Sequence, residues 1–281
     1  MKLAFPKKIE VRNSKLYGRG VFAKENISKG EVLEECHYIS ICDSKENSRK
    51  IDLNLKQYLF GIKNEKKKDS IHYCILFGFG PSFNHKNKNN ASFEFNKERN
   101  VFTFLSKEDI SKDEEIFVNY MGEDDKFSEE LGNELIASFK ESKNYNTDLN
   151  LFLNQKIEVR DSNISGRGIF ATEDIKFGEI LEECHHVVLD CQFKKLEQKI
   201  KEYVFTWPYK KSENDERQSY SSVVFGTGSI YNHSKNNNAD WVVDKNRNVF
   251  TFFAKSNIKK DEEICTNYGD GYLKHVGTNI K

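Results

Sequence analysis

The sequence predicts a mostly β protein made of two tandem copies of one domain, each built from small antiparallel sheets with short helices. The first observation is a repeat: three blocks recur at an offset of 148 residues without gaps, at 9–36 and 157–184, 77–91 and 225–239, and 99–120 and 247–268. The second is that each copy has short alternating apolar runs between Gly, Asn and Ser turns, which is typical of strands. A repeat of this length indicates a duplicated domain rather than a solenoid unit.

Length and composition agree with two ordinary domains. The chain has 281 residues, 37% apolar and 31% charged, with 44 basic and 44 acidic side chains. A nucleic-acid binder usually has a basic surplus, so we expect no direct nucleic-acid binding. The N-terminal residues do not resemble a signal peptide, and no run approaches the ~20 apolar residues of a membrane span. We therefore expect an intracellular protein, cytoplasmic or nuclear, with no membrane contact.

The cysteines form no CxxC pair and no cluster with zinc spacing, so we expect free, mostly buried thiols and no metal site. They are Cys36, Cys42, Cys74, Cys184, Cys191 and Cys265.

The strands are predicted from the alternation in each copy. In the first copy they are expected at 8–12, 20–23, 31–34, 39–42 and 99–104, followed by a last strand that runs into Tyr120. The second copy repeats this order, with a strand at 247–253 and a last strand into Tyr268. Glycine turns at 78–80 and 226–228 each precede an asparagine-rich loop.

The middle of each copy has diverged, at 43–70 and at 191–219. Both segments are charged and have apolar residues at helical spacing, which predicts one amphipathic helix in each. The apolar positions are Leu53, Leu55, Tyr58 and Leu59 in the first copy, and Leu196, Ile200, Tyr203 and Val204 in the second.

The segment between the copies has a helical apolar stripe followed by a polar connector. The stripe consists of Phe127, Leu131, Leu135, Ile136 and Phe139. Packing on the first copy is favoured over a bridge between copies. The predicted domains are thus 1–123, a helix and connector at 124–155, and 156–281.

Three motifs recur in the same order in both copies: a Gly-Arg-Gly turn, an Asn-His loop and a strand end of the form Glu-Glu-Ile-x-x-Asn-Tyr. Each one alone is a weak signal, because a Gly-x-Gly turn is more often only a tight turn and lacks the context of a dinucleotide site. Their order and spacing together are specific.

The segments GRGIFA, GSIYNHSKNNNA and DEEICTNYGDGY resemble the SET-domain family of protein-lysine methyltransferases, most closely its minimal single-domain members. The resemblance covers about 8–122 and 156–273. It implies a β-clip (SET) fold in which the Asn-His loop and the last strand cross in a knot-like arrangement. It also implies S-adenosylmethionine as cofactor and a protein lysine as acceptor.

The resemblance assigns roles to individual positions. Gly166, Arg167 and Gly168 would bind the methionine part of the cofactor, and Asn232 and His233 its amino and adenine ends. The counterparts in the first copy are Gly18, Arg19, Gly20, Asn84 and His85. The hydroxyl of Tyr268, or of Tyr120 in the first copy, would lie at the methyl-transfer site. Tyr203 and Tyr272 are candidates for the wall of the lysine channel, whereas Trp207 and Phe225 are interpreted as core.

The two copies differ at three positions that bear on activity. Where the second copy has Ser234, Gly269 and Tyr272, the first has Lys86, Met121 and Asp124. A lysine at the cofactor loop and the loss of an aromatic side chain predict that the second copy is catalytic and the first degenerate. The first copy is interpreted as a pseudo-dimer partner, and slow or different methylation by it is the alternative.

No cysteines follow the final tyrosine of either copy, so a zinc-binding tail is not expected, and 271–281 could close the channel instead. The acidic pair Glu182-Glu183 could attract a basic substrate tail, while 261–263 is more simply a solvated turn.

We therefore predict a monomeric protein-lysine methyltransferase with an internal pseudo-dimer, for which histone H3 is a candidate substrate by resemblance. The rival hypothesis is a catalytically weak SET-like module that displays two peptide grooves. A nucleic-acid methyltransferase is disfavoured by the zero net charge.

Overall fold

The computed structural model describes residues 1–16, 18–42, 51–63, 71–120 and 150–269. Strands dominate both copies, as predicted. The first copy contains β1 (Ile9–Asn13), β2 (Arg19–Ala23), β3 (Val32–Cys42), β4 (Leu59–Lys63), β5 (Ile71–Phe77), β6 (Asn84–His85), β7 (Ala91–Asn96), β8 (Val101–Ser106) and β9 (Glu115–Val118). The second contains β10 (Ile157–Asp161), β11 (Arg167–Ala171), β12 (Ile180–Cys184), β13 (His186–Val188), β14 (Val204–Trp207), β15 (Tyr220–Val224), β16 (Asn232–His233), β17 (Ala239–Asp244), β18 (Val249–Ala254) and β19 (Glu263–Thr266).

The described helices are short: α1 (Leu53–Lys56) and α2 (Gln198–Lys201), with 3₁₀ turns at Gly80–Ser82, Phe193–Lys195 and Gly228–Ile230. The predicted helices of the two middle segments are therefore too long. Each ends after one turn, and Leu59 and Val204 begin strands. The sequences that follow, LFGIK and VFTW, are rich in β-branched and aromatic residues, which favour a strand.

The chain forms two compact units in space. A larger unit comprises Met1–Leu3, Tyr38–Phe77 and Phe152–Lys281, and a smaller unit comprises Ala4–His37 and Gly78–Leu151. The larger unit thus includes the middle segments of both copies. The domain limits predicted from the repeat stay a prediction, because compactness in space does not test descent from a duplication.

The larger unit contains three sheets of the second copy. We call the first two the frame, and the third contains the strand of the diverged middle segment, β14. Their strand orders are β10-β11-β19-β16, β12-β18-β17 and β13-β15-β14, and the antiparallel pair β4-β5 lies in the same unit. The smaller unit repeats the frame with the order β1-β2-β9-β6 and with β8 paired to β7 and to the first half of β3.

Stacked aromatic rings fill the centre of each frame. Phe83 stacks on Phe104 at 4.6 Å in the smaller unit, and their counterparts Tyr231 and Phe252 stack at 4.9 Å in the larger. All four side chains are buried. Burial of large apolar surfaces like these is the main source of folding free energy in a small β domain.

The expected crossing takes the form of a short parallel pairing. In the larger unit β16 pairs with β19 in parallel register, Asn232 opposite Cys265 and His233 opposite Thr266. In the smaller unit β6 pairs with β9 in the same way. A ladder of two residue pairs contains few backbone hydrogen bonds, so side-chain hydrogen bonds must stabilise the crossing as well.

Asn238 supplies such bonds in the larger unit. Its Oδ1 accepts from the Cys265 N–H (2.8 Å), and its Nδ2 donates to the Glu263 carbonyl (2.9 Å). Asn90 bonds the N–H of Phe117 and the carbonyl of Glu115 in the smaller unit. These buried amides fix the last strand where the ladder is incomplete.

Replacing Asn238 with Ala should lower the free energy of unfolding by about 2–3 kcal/mol, because a buried N–H and carbonyl lose their partners. Urea unfolding of the full chain measures this. The neighbouring Asn237→Ala is a matched control, since the Asn237 side chain donates to the Ala239 carbonyl and accepts from Lys255, and neither contact involves the last strand. Equal losses for the two variants would contradict the role given to Asn238.

Candidate active site

The Gly-Arg-Gly turn of the second copy joins β10 to β11. The N–H of Ser162 donates to the Gly166 carbonyl (2.9 Å), which closes the turn. Gly166 has a φ of +47°, a conformation that glycine adopts without strain. A Cβ placed on Gly166 would meet no atom of the described residues within 4 Å, so among these residues the space over this part of the turn is open.

The turn is supported by a half-buried acid, Glu263. A Cβ on Gly168 would lie 2.2 Å from Oε1 of Glu263. That carboxylate accepts from the Ser162 hydroxyl (2.8 Å) and from Nδ2 of Asn232 (2.7 Å). Asn232 Nδ2 also donates to the Arg167 carbonyl (3.2 Å). The Asn232 amide protons therefore hold the turn, while its backbone is paired with β19.

The first copy keeps this arrangement. Gly18 has a φ of +48°, and a Cβ on Gly20 would lie 2.2 Å from Oε1 of Glu115. Asn84 Nδ2 donates to the Arg19 carbonyl (3.0 Å) and to Glu115 (2.8 Å). The geometry of the turn thus does not distinguish the copies.

Tyr268 is fixed at both ends by the segment that crosses it. Its N–H donates to Nδ1 of His233 (3.1 Å), and its hydroxyl donates to the carbonyl of Tyr231 (2.5 Å). Because the phenol donates its proton to a carbonyl, the phenol oxygen acts towards other groups as an acceptor. Burial lowers the pKa of His233, and the charge of Lys235 lowers it further.

The first copy reproduces these contacts but differs one residue farther on. Tyr120 bonds Nδ1 of His85 through its N–H (3.1 Å) and the Phe83 carbonyl through its hydroxyl (2.6 Å). At the position of Ser234, however, Lys86 places its Nζ 4.8 Å above the ring of Phe117. The first copy therefore has its cation at the residue directly after the Asn-His strand, whereas the corresponding cation of the second copy is Lys235, one residue farther on.

A groove of about 860 Å³ opens in the larger unit at Tyr268. Its aromatic lining comprises Tyr203, Phe205, Tyr220, Tyr231, Trp241 and Tyr268, with Phe193 at one side. The structure thus brings two predicted site residues, Tyr203 and Tyr268, to the same groove. Tyr272 and the segment 271–281 lie outside the described residues, as do Met121, Asp124 and the apolar stripe of the connector.

Trp207 and Phe225 do not line this groove. They are 6% and 1% exposed, which confirms their interpretation as core. Of the cysteines, four are buried and two are half-buried, and all six are free thiols, as predicted.

Sequence reasoning missed the residues that support the site. Glu263, which was expected in a solvated turn, instead begins β19 and lies under the Gly-Arg-Gly turn, and Tyr231 provides the carbonyl that holds the Tyr268 hydroxyl. Both are inside the repeated blocks, next to the residues that were selected. A sequence repeat identifies such positions, but it does not indicate which residue will form a hydrogen bond with a buried polar group.

The expectation that Glu182 and Glu183 attract a substrate is wrong. They are 1% and 7% exposed, because they lie in β12 rather than in a turn. Glu182 accepts from the N–H (3.0 Å) and the hydroxyl of Thr227, and its burial raises its pKa. Glu183 pairs with Arg247 (2.9 Å). These acids are structural.

Within the described ranges, no three His, Cys, Asp or Glu side chains come together as a metal-binding group. No helix in the same ranges is long and apolar enough to cross a bilayer.

Comparison with known proteins gives a family and a relative. The model of the SET domain family matches twice, at residues 18–121 and 166–269. A histone-lysine N-methyltransferase specific for H3 lysine-37, from Schizosaccharomyces pombe, is 28% identical over 121 residues, covering 41% of this chain and 74% of the yeast protein.

Solved structures of other proteins are also similar to part of this chain. A Plasmodium falciparum protein assigned as a histone methyltransferase is 33% identical, with a TM-score of 0.34, over 42% of this chain and 96% of that one. A Chaetomium thermophilum Polycomb Repressive Complex 2 bound to S-adenosylmethionine is 24% identical, also with a TM-score of 0.34, over 47% of this chain and 17% of that one.

The His233 ring should titrate below the usual histidine pKa of about 6.5. Protonation removes the acceptor for the Tyr268 N–H, so this contribution to stability is present above the unfolded-state pKa and is lost as pH falls through the folded-state pKa. Proton titration followed by NMR of histidine rings measures it. In Lys235→Ser the pKa should rise, because a like charge is removed. A wild-type value at or above 6.5, or no rise in the variant, would contradict the assignment.

Proposed function

Because the chain belongs to the SET-domain family, with two copies of the domain in tandem, we propose that it is a protein-lysine methyltransferase that uses S-adenosylmethionine. The second copy is the proposed catalytic unit. The observation that carries this proposal is the placement of Tyr268, whose hydroxyl is held by a backbone carbonyl at an aromatic groove. Its strand end adjoins the sheet that also contains the Gly-Arg-Gly turn and the Asn-His strand.

The residues around the turn fit the proposed cofactor. Open space at Gly166 allows close approach to the backbone, and Arg167 and His233 are polar residues of the same sheet. Gly166, Arg167, Gly168, Asn232 and His233 would hold the cofactor, which supplies an electrophilic methyl group on a cationic sulfur. The first-copy residues Gly18, Arg19, Gly20, Asn84 and His85 keep the same geometry, but Lys86 would repel that cation.

The acceptor lysine must lose its proton before it can attack. Presenting a free lysine as a neutral amine at pH 7 costs roughly 5 kcal/mol, given its pKa of about 10.4. An aromatic groove lowers that pKa because burial disfavours the charged form. Tyr203, which is half-buried and lines the groove, would provide one such wall. A dedicated general base is then unnecessary.

Tyr268 would act by position and polarity. Its hydroxyl proton is engaged by the Tyr231 carbonyl, so its oxygen can accept from the polarised methyl or from the amine. Because that bond is already made, no reorganisation is needed during the reaction. The rate of an in-line displacement depends mainly on such alignment of the reacting groups. Tyr272 is proposed as a second wall on resemblance alone.

The first copy is proposed as a pseudo-dimer partner, and two aromatic pairs in the larger unit support this. Phe77 of the first copy stacks on Tyr203 of the second at 5.2 Å, with an interplanar angle of 20°. Reciprocally, Phe225 of the second copy packs on Tyr58 of the first at 4.7 Å. Tyr58 and Tyr203 follow α1 and α2 at matching positions. Exchange of equivalent contacts is the pattern of a two-fold dimer interface.

Polar contacts join the same two segments. The Asp52 carboxylate accepts from the Cys191 N–H (2.7 Å), and Asn54 Nδ2 donates to the Val188 carbonyl (3.0 Å). The wall of the second copy's groove is thus backed by residues from the first copy. On this basis we propose the domain limits 1–123, 124–155 and 156–281, with a monomeric chain in which one copy supports the other.

Histone H3 is the first acceptor to test, because the yeast relative is described as specific for it; a nuclear location would follow from that substrate. The rival function, a peptide-binding module without transfer, is favoured only by the presence of Lys86 in the first copy.

Changing Tyr268 to Phe should lower the methyl-transfer rate about a hundredfold, because an oriented polar group is lost at the transfer site. Tyr120→Phe, which removes the equivalent hydroxyl from the first copy, is the matched control and should change the rate less than about twofold. Transfer of tritiated methyl groups to histones and to proteins of a whole-cell lysate measures both, with thermal melting as a check on folding. Loss of activity in Tyr120→Phe alone would assign catalysis to the other copy.

Phe77→Leu should lower kcat/KM for the acceptor about fivefold while leaving the affinity for S-adenosylmethionine unchanged, because Tyr203 loses the ring that positions it. Tyr58→Leu disrupts the reciprocal pair away from the groove, so it should destabilise the fold similarly without the kinetic effect. Phe77→Tyr should restore activity. Identical kinetics for Phe77→Leu and Tyr58→Leu would contradict the role of Phe77 in positioning Tyr203.

A further inference from the structure

The rim of the Tyr268 groove is cationic. Its charged lining residues are Lys194, Lys201, Glu202 and Arg217. Lys194 belongs to the 3₁₀ turn at Phe193–Lys195, and Lys201 ends α2. Both elements are in the diverged middle segment of the second copy, where the sequence is free of the constraints of the repeat.

The single acidic lining residue does not balance these cations. Glu202 is paired with Lys199 through a 3.0 Å contact, and Lys199 does not line the groove. Within the part of the chain that the structure describes, neither Lys194 nor Lys201 has an ion-pair partner. The groove therefore presents two ammonium groups that no local carboxylate neutralises.

Arg217 adds a third cation in a fixed orientation. Its guanidinium lies 4.0 Å over the ring of Tyr220, and one amino group donates to the Asp190 carbonyl (2.8 Å). The Asp215 carboxylate is 4.0 Å from its Nε, at the limit of an ion pair, and offsets part of the charge. Stacking on Tyr220 keeps the guanidinium at the groove wall.

We propose that the acceptor of this methyltransferase is a lysine flanked by acidic residues. This inference rests on the proposed function, since it assumes that the chain methylates a lysine. The preference for acidic flanking residues is inferred from the charges of the groove. Carboxylates beside the target lysine would pair with Lys194, Lys201 and Arg217, whereas a basic histone tail would meet like charges, so this inference ranks an acidic acceptor ahead of histone H3. The same cations disfavour the protonated form of the target lysine.

The test compares two peptides that share a central lysine and differ only in acidic or basic flanking residues. For the wild-type chain, kcat/KM should be about five- to tenfold higher for the acidic peptide, and fluorescence anisotropy should give the same order of affinities. The ratio should shrink as salt rises from about 50 mM to about 500 mM, because exposed charges are screened.

Reversal of charge in Lys194→Glu/Lys201→Glu should invert the preference, which misfolding alone would not do. The control Lys176→Glu/Lys260→Glu makes the same change in net charge at exposed positions outside the groove, and it should keep the wild-type preference.

The two measurements separate the two proposals. If the chain binds the acidic peptide preferentially but transfers no methyl group, the charge inference holds and the proposed function fails. If it transfers methyl groups but prefers the basic peptide, or if the preference does not respond to the double reversal, the charge inference is overturned.

Discussion

The candidate site depends on one short crossing, the parallel pairing of β16 with β19. Only two residue pairs form this ladder, and Tyr268 extends it by bonding His233 through its N–H and the Tyr231 carbonyl through its hydroxyl. Buried Asn238 secures the last strand from the other side. The hydroxyl of Tyr268, its backbone N–H and the strand before it are each held by a hydrogen bond, so the phenol has little freedom, which is what an alignment-driven reaction requires.

The proposed loss of function in the first copy does not require a loss of structure. The turn, the Asn-His strand and the tyrosine contacts are nearly identical in both copies, because each is part of the folded frame. The differences fall where a cofactor or acceptor would bind, as at Lys86. The first copy retains a second task, which is to back Tyr203 with Phe77.

The repeat allowed much of the fold and part of the site to be predicted from sequence. It located the frame strands, the Gly-Arg-Gly turn and Tyr268, because alternation and turn residues are local signals. The middle segments were predicted less well. Helical spacing at Leu53 and Leu196 predicted longer helices, whereas each helix ends after one turn and the strands β4 and β14 follow. Residues that act through distant partners, such as Glu263 and Phe77, have no local signal. The burial of Glu182 also depends on sheet packing that periodicity does not reveal.

Isothermal titration of the full chain with S-adenosylmethionine tests the central claim most directly. If the second copy is the working half, the wild type should bind the cofactor at a single class of site, and Ser234→Lys, which introduces the lysine of the first copy, should abolish that binding by like-charge repulsion. Absence of binding to the wild-type chain, or full binding by the Ser234→Lys variant, would contradict the account.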